Sequence, residues 1–414
     1  MPGIDVFTDP PTRDRWLSAC ASDDALRAIG TGVRADFALE CGAERVVLRV
    51  EDGVPALAES EPVFTLSAPS EVWAELLAAT PRPPYQSFFG VLRTGEGRVD
   101  GDQLAFAQSV HVVRRILEHA RSGGAPASAS IETLDRSQVR GRYVNAPLQG
   151  AEIDIYIEES GSGAPLLFLH TAGADSRQYH GMLANAGLQE RYRMVAFDLP
   201  GHGRSDRLPG PIGGYSLTTE LYADAILGVI DQLGLQGVIV SGSSMGGEIC
   251  LEIAYRAPDS VRGVIACEAS ERVEGRRQPW AKHPQVNESL FVPEWVYGMM
   301  APQSPQPFKD DVWWGYSQGG FNTFHGDIDF YSGEWDGRDK VEHIDTDTCA
   351  VVMLTGEYDY SCTPAMSAST AQRIRGAVFW SMPGLGHFPM AENPAQFLPH
   401  LTKALQIVEG STDG

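Results

Sequence analysis

The chain has 414 residues, 43% of them hydrophobic, and a formal net charge of −22. This length is enough for two or three domains with full apolar cores. The negative charge disfavours nucleic acid and anionic membrane surfaces as partners, because both would repel the protein. The six cysteines form no Cys-x-x-Cys pair and show no zinc-binding spacing, which suits a reducing compartment. No signal-peptide pattern and no apolar run of about 18 residues is evident, so we expect a cytoplasmic protein.

The first 122 residues are predicted to form an α+β domain. Helical spacing of apolar residues and capping residues predict helices over 14–29, 70–77 and 104–120. Alternation of apolar and polar residues predicts strands over 36–40, 45–50 and 62–66. Asp52-Gly53 is typical of a hairpin turn.

This order of elements resembles the sterol-carrier-like fold. The matching residues are a helix that begins at Ser70 and contains Trp73, and Val99-Asp100-Gly101-Asp102 before the last helix. The resemblance implies an apolar tunnel for a lipid. The alternative is a docking module through which two chains form a homodimer.

Small, uncharged residues after position 121 predict a flexible linker, which we place at 123–134. The linker separates the N-terminal domain, 1–122, from a second domain, 135–414.

Two turns follow predicted strands early in the second domain. An apolar strand over 165–169 ends at His170-Thr171-Ala172-Gly173, and a later turn contains Pro200-Gly201-His202-Gly203. An imidazole in such a turn can hydrogen-bond the backbone and hold the loop in shape. His170 and His202 are therefore predicted to be structural.

Ser244 is the predicted nucleophile. It lies in Gly242-Ser243-Ser244-Met245-Gly246, between the apolar run 238–240 and a helical pattern that starts at Glu248. Small residues at 242 and 246 allow the sharp turn that lifts the hydroxyl out of the sheet. The helix N-terminus behind the serine favours developing negative charge. A serine between glycines is usually only a turn, but the flanking strand and helix favour the nucleophile.

An aromatic-rich segment, about 271–345, separates two later predicted strands and is predicted to be a cap. Five of the chain's eight tryptophans lie in it. More than half of the aromatic rings are expected to pack the cap, and the others to line an apolar pocket that excludes water. The candidate pocket residues are Trp280, Trp295, Trp313 and Trp314, together with Thr171 and Ser243 near the nucleophile.

Asp359 and His387 complete a predicted triad with Ser244. A nucleophilic serine needs a base to take its proton, and the base needs an acid that orients it. The strand 350–354 breaks before Asp359, and His387 lies on the loop after the strand 377–380. The order serine, aspartate, histidine is that of a known hydrolase arrangement.

Two other carboxylates are alternatives to Asp359 as the triad acid. Glu357 lies in the same loop, and Glu268 ends the predicted strand 263–266. The offset of Asp359 from the break at Gly356 favours Asp359.

These motifs, in this order, resemble the α/β-hydrolase superfamily over residues 140–405. The turn at 197–205, Phe-Asp-Leu-Pro-Gly-His-Gly-Arg-Ser, is a further match. The resemblance implies an α/β-hydrolase fold, with a mostly parallel eight-stranded sheet flanked by helices and a helical cap. It also implies an oxyanion hole formed by the backbone amides of Met245 and Ala172. The family usually has glycine after the loop histidine, where this chain has Thr171.

The predicted function is that of a serine hydrolase cleaving a carboxylic ester or lactone of an apolar or aromatic small molecule, without a cofactor. Alternatives are amide or carbamate hydrolysis, and C–C hydrolysis of a ring-cleavage product, whose enzymes usually carry asparagine where this chain has Ser243. A ligand-binding sensor on a hydrolase fold is the alternative from another class. The acidic pairs 310–311 and 327/329 are interpreted as isolated surface carboxylates, so no metal is predicted.

Overall fold

The computed structural model describes residues 3–122 and 134–410. The linker predicted at 123–134 lies outside these residues except for its last position. The chain divides into two compact units. The first contains Met1–Ala129 and Trp280–Gln306, and the second contains Ser130–Pro279 and Pro307–Gly414. The predicted cap, 271–345, is therefore divided between the two units.

The first unit contains a five-stranded sheet. Its strands are β1 (Arg34–Cys41), β2 (Glu44–Glu51), β3 (Val54–Leu57), β4 (Phe64–Ala68) and β5 (Arg98–Gly101). They lie in the order β3-β2-β1-β4-β5, with β1 antiparallel to β2 and parallel to β4. The predicted hairpin turn joins β2 to β3: Asp52 and Gly53 have φ of 51° and 76°. Such turns need positive φ at both central residues.

The α-helices follow in chain order through both units. They are α1 (Pro10–Ala21), α2 (Asp24–Ile29), α3 (Ser70–Leu76), α4 (Phe88–Thr94), α5 (Gln103–Ala120), α6 (His180–Leu183), α7 (Ala186–Gln189), α8 (Thr219–Leu233), α9 (Met245–Arg256), α10 (Glu288–Tyr297), α11 (Gln306–Ser317), α12 (Thr323–Asp329), α13 (Pro364–Arg373), α14 (Pro389–Glu392) and α15 (Pro394–Gly410). The single helix predicted over 14–29 is two helices, because Asp23 caps a new start by accepting from the amides of Ala25 and Leu26.

Helix α10 belongs to the first unit because it packs on α5. Glu294 of α10 is fully buried and forms an ion pair with Arg114 of α5. A buried charge is tolerated only with such a partner. The two residues are 180 positions apart in the chain. Spacing along the sequence therefore gives no sign of the pairing, which is why the prediction assigned this segment to the second domain.

The second unit contains an eight-stranded sheet. Its strands are β6 (Arg140–Leu148), β7 (Ala151–Ser160), β8 (Ala164–Leu169), β9 (Tyr192–Phe197), β10 (Val238–Ser243), β11 (Val261–Cys267), β12 (Ala350–Gly356) and β13 (Val378–Met382). They lie in the order β13-β12-β11-β10-β8-β9-β7-β6. The strands from β13 to β9 pair in parallel, whereas β7 pairs antiparallel with β9 and β6. The sheet is thus mixed and not purely parallel.

The central strands form the core of the second unit. Every residue of β10 and of β12 is buried, as expected for strands covered on both faces. Because parallel strands end at the same edge of the sheet, the loops after β8, β10, β12 and β13 meet at one edge, where ligand sites in such sheets form. Among the helices of the described ranges, none combines the length and apolar character that crossing a membrane needs.

Candidate active site

The turn that carries Ser244 is strained and tightly packed. Ser244 lies between β10 and α9 with φ 60° and ψ −121°, which is rare for a residue with a side chain. Its backbone N–H donates to the Cys267 carbonyl at 3.0 Å. A Cβ on Gly242 would lie 2.2 Å from the Gly246 carbonyl oxygen, and one on Gly246 would lie 2.7 Å from the Leu169 carbonyl oxygen. The turn therefore needs both glycines.

His387 and Asp359 are hydrogen-bonded to each other. Nδ1 of His387 lies 2.7 Å from Oδ2 of Asp359, and the two side chains are 3% and 0% exposed. Oδ1 of Asp359 accepts from the backbone N–H groups of Ser361 at 2.7 Å and Cys362 at 3.2 Å. These bonds fix the carboxylate and, through it, the imidazole. Nε2 is then the ring nitrogen that can exchange a proton with a substrate-side group.

Ser243 joins the loop of Ser244 to the loop of His387. Its Oγ donates to the backbone carbonyl of His387 at 3.3 Å, and all three residues are buried. The predicted triad residues thus lie on loops that meet at one edge of the sheet. Their catalytic roles remain predictions.

The two alternative acids occupy different positions. Glu357 is exposed and accepts from the backbone N–H of Gly384 at 2.9 Å. Glu268 is fully buried and accepts from the backbone N–H of Gly356 at 3.0 and 3.1 Å. Of the three candidate carboxylates, Asp359 is the one bonded to the His387 ring.

The predicted oxyanion-hole residues lie at the ends of β8 and β10. Met245 is the first residue of α9, where backbone N–H groups have no intrahelical acceptor. Ala172 lies on the loop after β8 and is buried. The amides on either side of it are already bonded: Thr171 donates to Gln178 Oε1 at 3.0 Å, and Gly173 donates to Asp327 Oδ2 at 2.7 Å. The loop after β8 is thereby held, and the oxyanion role of Met245 and Ala172 remains a prediction.

Thr171, at the position where the family usually has glycine, is accommodated by hydrogen bonds. Its Oγ1 lies 2.6 Å from the hydroxyl of Tyr316 and 2.9 Å from Nε2 of Gln178. Both Thr171 and Tyr316 are buried. The larger side chain therefore connects the β8 loop to α11.

Asp327 also holds the loop after β8. Its interpretation as an isolated surface carboxylate is wrong. It is fully buried. Oδ2 accepts from the Gly173 amide and from Nε2 of His202, each at 2.7 Å, and Oδ1 accepts from the hydroxyl of Tyr215 at 2.7 Å. Burial alone would lower the pKa of His202, but the attraction of Asp327 outweighs it and the pKa is raised.

His170 is held by the backbone, as predicted. Its Nε2 accepts from the Leu199 amide at 3.1 Å, so Nδ1 carries the proton and donates to the Thr171 carbonyl at 2.9 Å. Burial lowers the pKa of His170 to about 4, so the ring is neutral. His202 differs from the prediction in having a carboxylate as a principal partner.

The candidate pocket tryptophans are divided between the two units. Trp280 and Trp295 belong to the first unit, where Trp295 is buried. Trp313 and Trp314 lie on α11 in the second unit, and Trp314 is 60% exposed. Trp314 and Tyr316 line a cavity of about 490 Å³ with residues of the β8 loop and α14. Trp280 and Trp295 thus belong to one unit and Trp313 and Trp314 to the other, and their role as pocket residues stays a prediction.

The rings beside His387 are phenylalanine and tyrosine. Phe388 and Tyr331 lie with ring centroids 5.0 and 6.4 Å from the imidazole. Tyr316 lies edge-on to Phe388 at 5.5 Å. These rings make the surroundings of His387 largely apolar, which the composition of the predicted cap indicated without identifying them.

Glu248, one helical turn after Ser244, is fully buried. Within the described ranges neither of its carboxyl oxygens has a hydrogen-bond partner. Burial raises the pKa of Glu248 well above its usual range, although the charge of Arg272 opposes this. Burial therefore favours the neutral acid, a feature that the place of Glu248 in an ordinary helical pattern did not predict.

Donor atoms of Glu268, Asp359 and His387 lie within 4.8 Å of one another. Two carboxylates and an imidazole are of a type that ligates metals. The 2.7 Å contact between His387 and Asp359 is, however, a hydrogen-bond distance. The prediction that no metal binds stays a prediction.

The fold and the site geometry define a hydrolase of the α/β class. The chain belongs to the alpha/beta hydrolase family, whose model matches residues 166–399. A 2-(acetamidomethylene)succinate hydrolase from Mesorhizobium japonicum is 30% identical over 132 residues, which are 32% of this chain and 45% of that protein. The chain spans less than half the length of the curated relatives it matches, so their activities are not carried over.

Two solved structures are similar in fold. An esterase from Thermogutta terrifontis is 21% identical with a TM-score of 0.57, covering 64% of this chain and 99% of its own. An enol-lactonase from Burkholderia xenovorans LB400 is 19% identical with a TM-score of 0.55, covering 64% of this chain and all of its own. At these identities the likeness establishes the fold alone.

Proposed function

We propose that the second unit is a serine hydrolase that cleaves a carboxylic ester or lactone through an acyl-enzyme on Ser244. The observation that carries the proposal is the 2.7 Å bond between His387 Nδ1 and Asp359 Oδ2, on the loop that Ser243 ties to the nucleophile turn. A buried carboxylate that orients an imidazole, on a loop tied to the turn of a strained serine, supports the arrangement that activates an alcohol.

The chemistry proceeds in two halves. Ser244 Oγ attacks the carbonyl carbon while its proton passes to Nε2 of His387. The tetrahedral oxyanion is held by the amides of Met245 and Ala172, and removing one such donor typically costs about 3 kcal/mol in the barrier. The intermediate collapses, and the leaving alkoxide takes the proton from His387. Water then attacks the acyl group by the same route in reverse, and gives an acid and free Ser244.

An apolar or aromatic acyl or alcohol group fits the surroundings of His387. Phe388, Tyr331 and Tyr316 present aromatic rings near the imidazole, and apolar walls raise the strength of the electrostatic contacts by excluding water. Ser243 stands where enzymes for ring-cleavage products usually carry asparagine, which favours an ester or lactone over a C–C bond.

Labelling with a fluorophosphonate probe tests the nucleophile. We expect stoichiometric modification of Ser244 in the native chain, none in Ser244→Ala, and strongly reduced rates in His387→Ala. Ser137→Ala, on an exposed turn, is the matched control and should label normally. A native chain that is folded but unlabelled would favour a ligand-binding sensor instead.

Substrate series separate the bond types. Turnover of p-nitrophenyl esters of increasing chain length and of aryl lactones is expected. Labelling of Ser244 without any ester or lactone turnover, but with activity on amides, carbamates or vinylogous diketones, would move the proposal to one of those bonds.

For the first unit we propose a dimerisation role, while the sterol-carrier-like resemblance stays a prediction. Its edge strand β3 exposes Val54 (39%) and Leu57 (51%), and an exposed apolar edge can pair with a second copy. Light scattering of the full chain is expected to give a dimer that Leu57→Lys dissociates. A monomeric native chain would rule this role out.

A further inference from the structure

Glu268 is unusual in two respects, its backbone conformation and the burial of its carboxyl group. It follows β11 with φ 53°, a left-handed conformation for a residue with a side chain. Its amide donates to the Leu354 carbonyl at 2.9 Å, and the residue is fully buried. Its carboxyl group accepts from the Gly356 amide at 3.0 and 3.1 Å. A strained backbone and a buried acid at one residue need a compensating role.

The carboxyl group of Glu268 lies beside that of Asp359. One carboxyl oxygen of each residue and one ring nitrogen of His387 all lie within 4.8 Å of one another. Two carboxylates this close in a buried site repel each other strongly when both are ionised. The arrangement therefore favours a proton held by one carboxyl group and donated to the other.

The hydrogen bonds decide which carboxyl group is protonated. Asp359 faces the N–H groups of Ser361, Cys362 and the His387 ring, and each of these bonds stabilises an anion. Glu268, by contrast, accepts from the Gly356 amide. The anion therefore belongs on Asp359 and the proton on Glu268.

The other titratable groups that face Glu268 act in the same direction. Burial is the largest cause that raises the pKa of Glu268 well above its usual range, followed by the charge of Asp359 and the hydrogen bond to it. Glu392, itself fully buried, adds further repulsion. The thiol of Cys267, whose pKa is also raised by burial, stays neutral.

We propose that Glu268 is a positioning residue of the triad, a neutral carboxylic acid that donates a hydrogen bond to Asp359. This proposal rests on the proposed function for its effect on catalysis, but the bond itself does not. Through this bond Glu268 holds Asp359 with Oδ2 towards His387 and withdraws charge from the carboxylate. Without it Asp359 can turn away from the ring.

Two variants test the hydrogen bond from residue 268 to Asp359: Glu268→Gln keeps a donor of similar size, and Glu268→Ala removes it. A glutamine amide can donate to Asp359 and accept from Gly356, as the protonated acid does. We expect kcat/KM of Glu268→Gln within about 3-fold of the native chain, with the same pH profile. Glu268→Ala should lose about 10- to 100-fold in kcat, with KM little changed.

Two spectroscopic measurements on the native chain test the bond without catalysis. An isotope-edited infrared difference between native protein and Glu268→Gln is expected to contain the carbonyl band of a protonated acid at neutral pH. The downfield proton resonance of His387 Nδ1–H should be kept in Glu268→Gln and shifted in Glu268→Ala. Carboxylate bands alone in that difference, or equal losses of kcat in both variants, would overturn the proposal.

The outcomes separate this proposal from the proposed function. If the native chain is not labelled at Ser244 but the protonated-acid band is present, the hydrolase mechanism fails and the Glu268–Asp359 bond stands. If labelling is normal but the band is absent, the hydrolase mechanism stands and the Glu268–Asp359 bond fails. Should Glu268→Ala not fold, Glu268→Gln and the infrared difference still decide.

Discussion

Ser243 Oγ donates to the backbone carbonyl of His387 at 3.3 Å, and this bond links the turn after β10 to the loop after β13. Those strands are not neighbours in the sheet, since β11 and β12 lie between them. Ser243, the residue before the predicted nucleophile, thus helps to fix the loop that carries the His387 imidazole. We therefore expect Ser243 to act on the position of the His387 loop, and the pocket role predicted from the sequence stays a prediction.

Replacing Ser243 with alanine should therefore lower kcat more than it changes KM. A neutral hydrogen bond is worth about 1 kcal/mol, which corresponds to roughly a 5-fold loss of rate if it acts through geometry. Steady-state kinetics on a p-nitrophenyl ester measure the two constants, with Ser137→Ala as the control. A changed KM at constant kcat would assign Ser243 to substrate contact instead.

Asp327→Asn should loosen the β8 loop and destabilise the fold. The aspartate joins Gly173, His202 and Tyr215, and breaking a buried charge pair costs about 3–5 kcal/mol. The expected result is a lower urea midpoint together with a lower kcat. Asp329→Asn, two residues along and 40% exposed, is the matched control and should change stability by less than about 0.5 kcal/mol.

The same pair predicts a pH dependence of stability. The pKa of His202 is raised above 6.5 in the folded chain, so its stabilising contribution is present below that value and lost as the pH rises through the folded pKa. Between about pH 6 and pH 9 the native chain should lose more unfolding free energy than Asp327→Asn. Parallel curves for the two proteins would mean that the imidazole is not charged in the folded state.

The sequence predicts best what adjacent residues encode. The Ser244 turn follows from a strand, small residues and a helix in succession, and the hairpin at Asp52-Gly53 follows from two residues that tolerate positive φ. Asp359 and His387 were predicted because loops after parallel strands share an edge. In these cases local chemistry and sheet topology are sufficient.

Contacts between distant segments could not be predicted in this way. Asp327 and His202 are 125 residues apart, and a lone aspartate in an acidic chain carries no mark of burial. The aromatic content of the predicted cap indicated apolar surroundings, but it did not indicate that Trp280 and Trp295 pack in another unit. Burial depends on which segments pack together, and one sequence does not specify that pairing.

Glu248→Met should stabilise the fold, and more so at high pH. The buried acid has no hydrogen-bond partner among the described residues, so an apolar side chain of similar size removes a cost of about 1–3 kcal/mol. The pKa of Glu248 is raised in the folded state. This adds stability that is present below pH 4.5 and lost as the pH rises, because the Glu248 carboxyl group then ionises first in the unfolded chain. Urea unfolding at about pH 5 and pH 8 should therefore give the larger gain at the higher pH.

Glu252→Met, one turn further along α9, is the control for that change. Glu252 accepts from Lys340 at 2.7 Å and from the Trp335 indole at 3.1 Å, so its removal should destabilise the fold. A gain of similar size in both variants would show that general helix propensity, and not the unbonded acid, is responsible.

Gly246→Ala tests whether the nucleophile turn tolerates any side chain. The added Cβ would lie 2.7 Å from the carbonyl oxygen of Leu169, the last residue of β8, and 3.1 Å from that of His170, the first residue after it. Relieving the clash must move α9 away from the β8 loop, which separates the Met245 amide from that of Ala172. We expect a loss of about 1–3 kcal/mol in stability and at least about a 10-fold slower fluorophosphonate labelling of Ser244.

Gly315→Ala, on α11, is the control. Its new Cβ has no atom within 4 Å, so the higher helix propensity of alanine should stabilise the chain by about 0.5–1 kcal/mol with unchanged labelling. Equal labelling rates in the two variants would mean that the spacing of the two loops does not control the reactivity of Ser244.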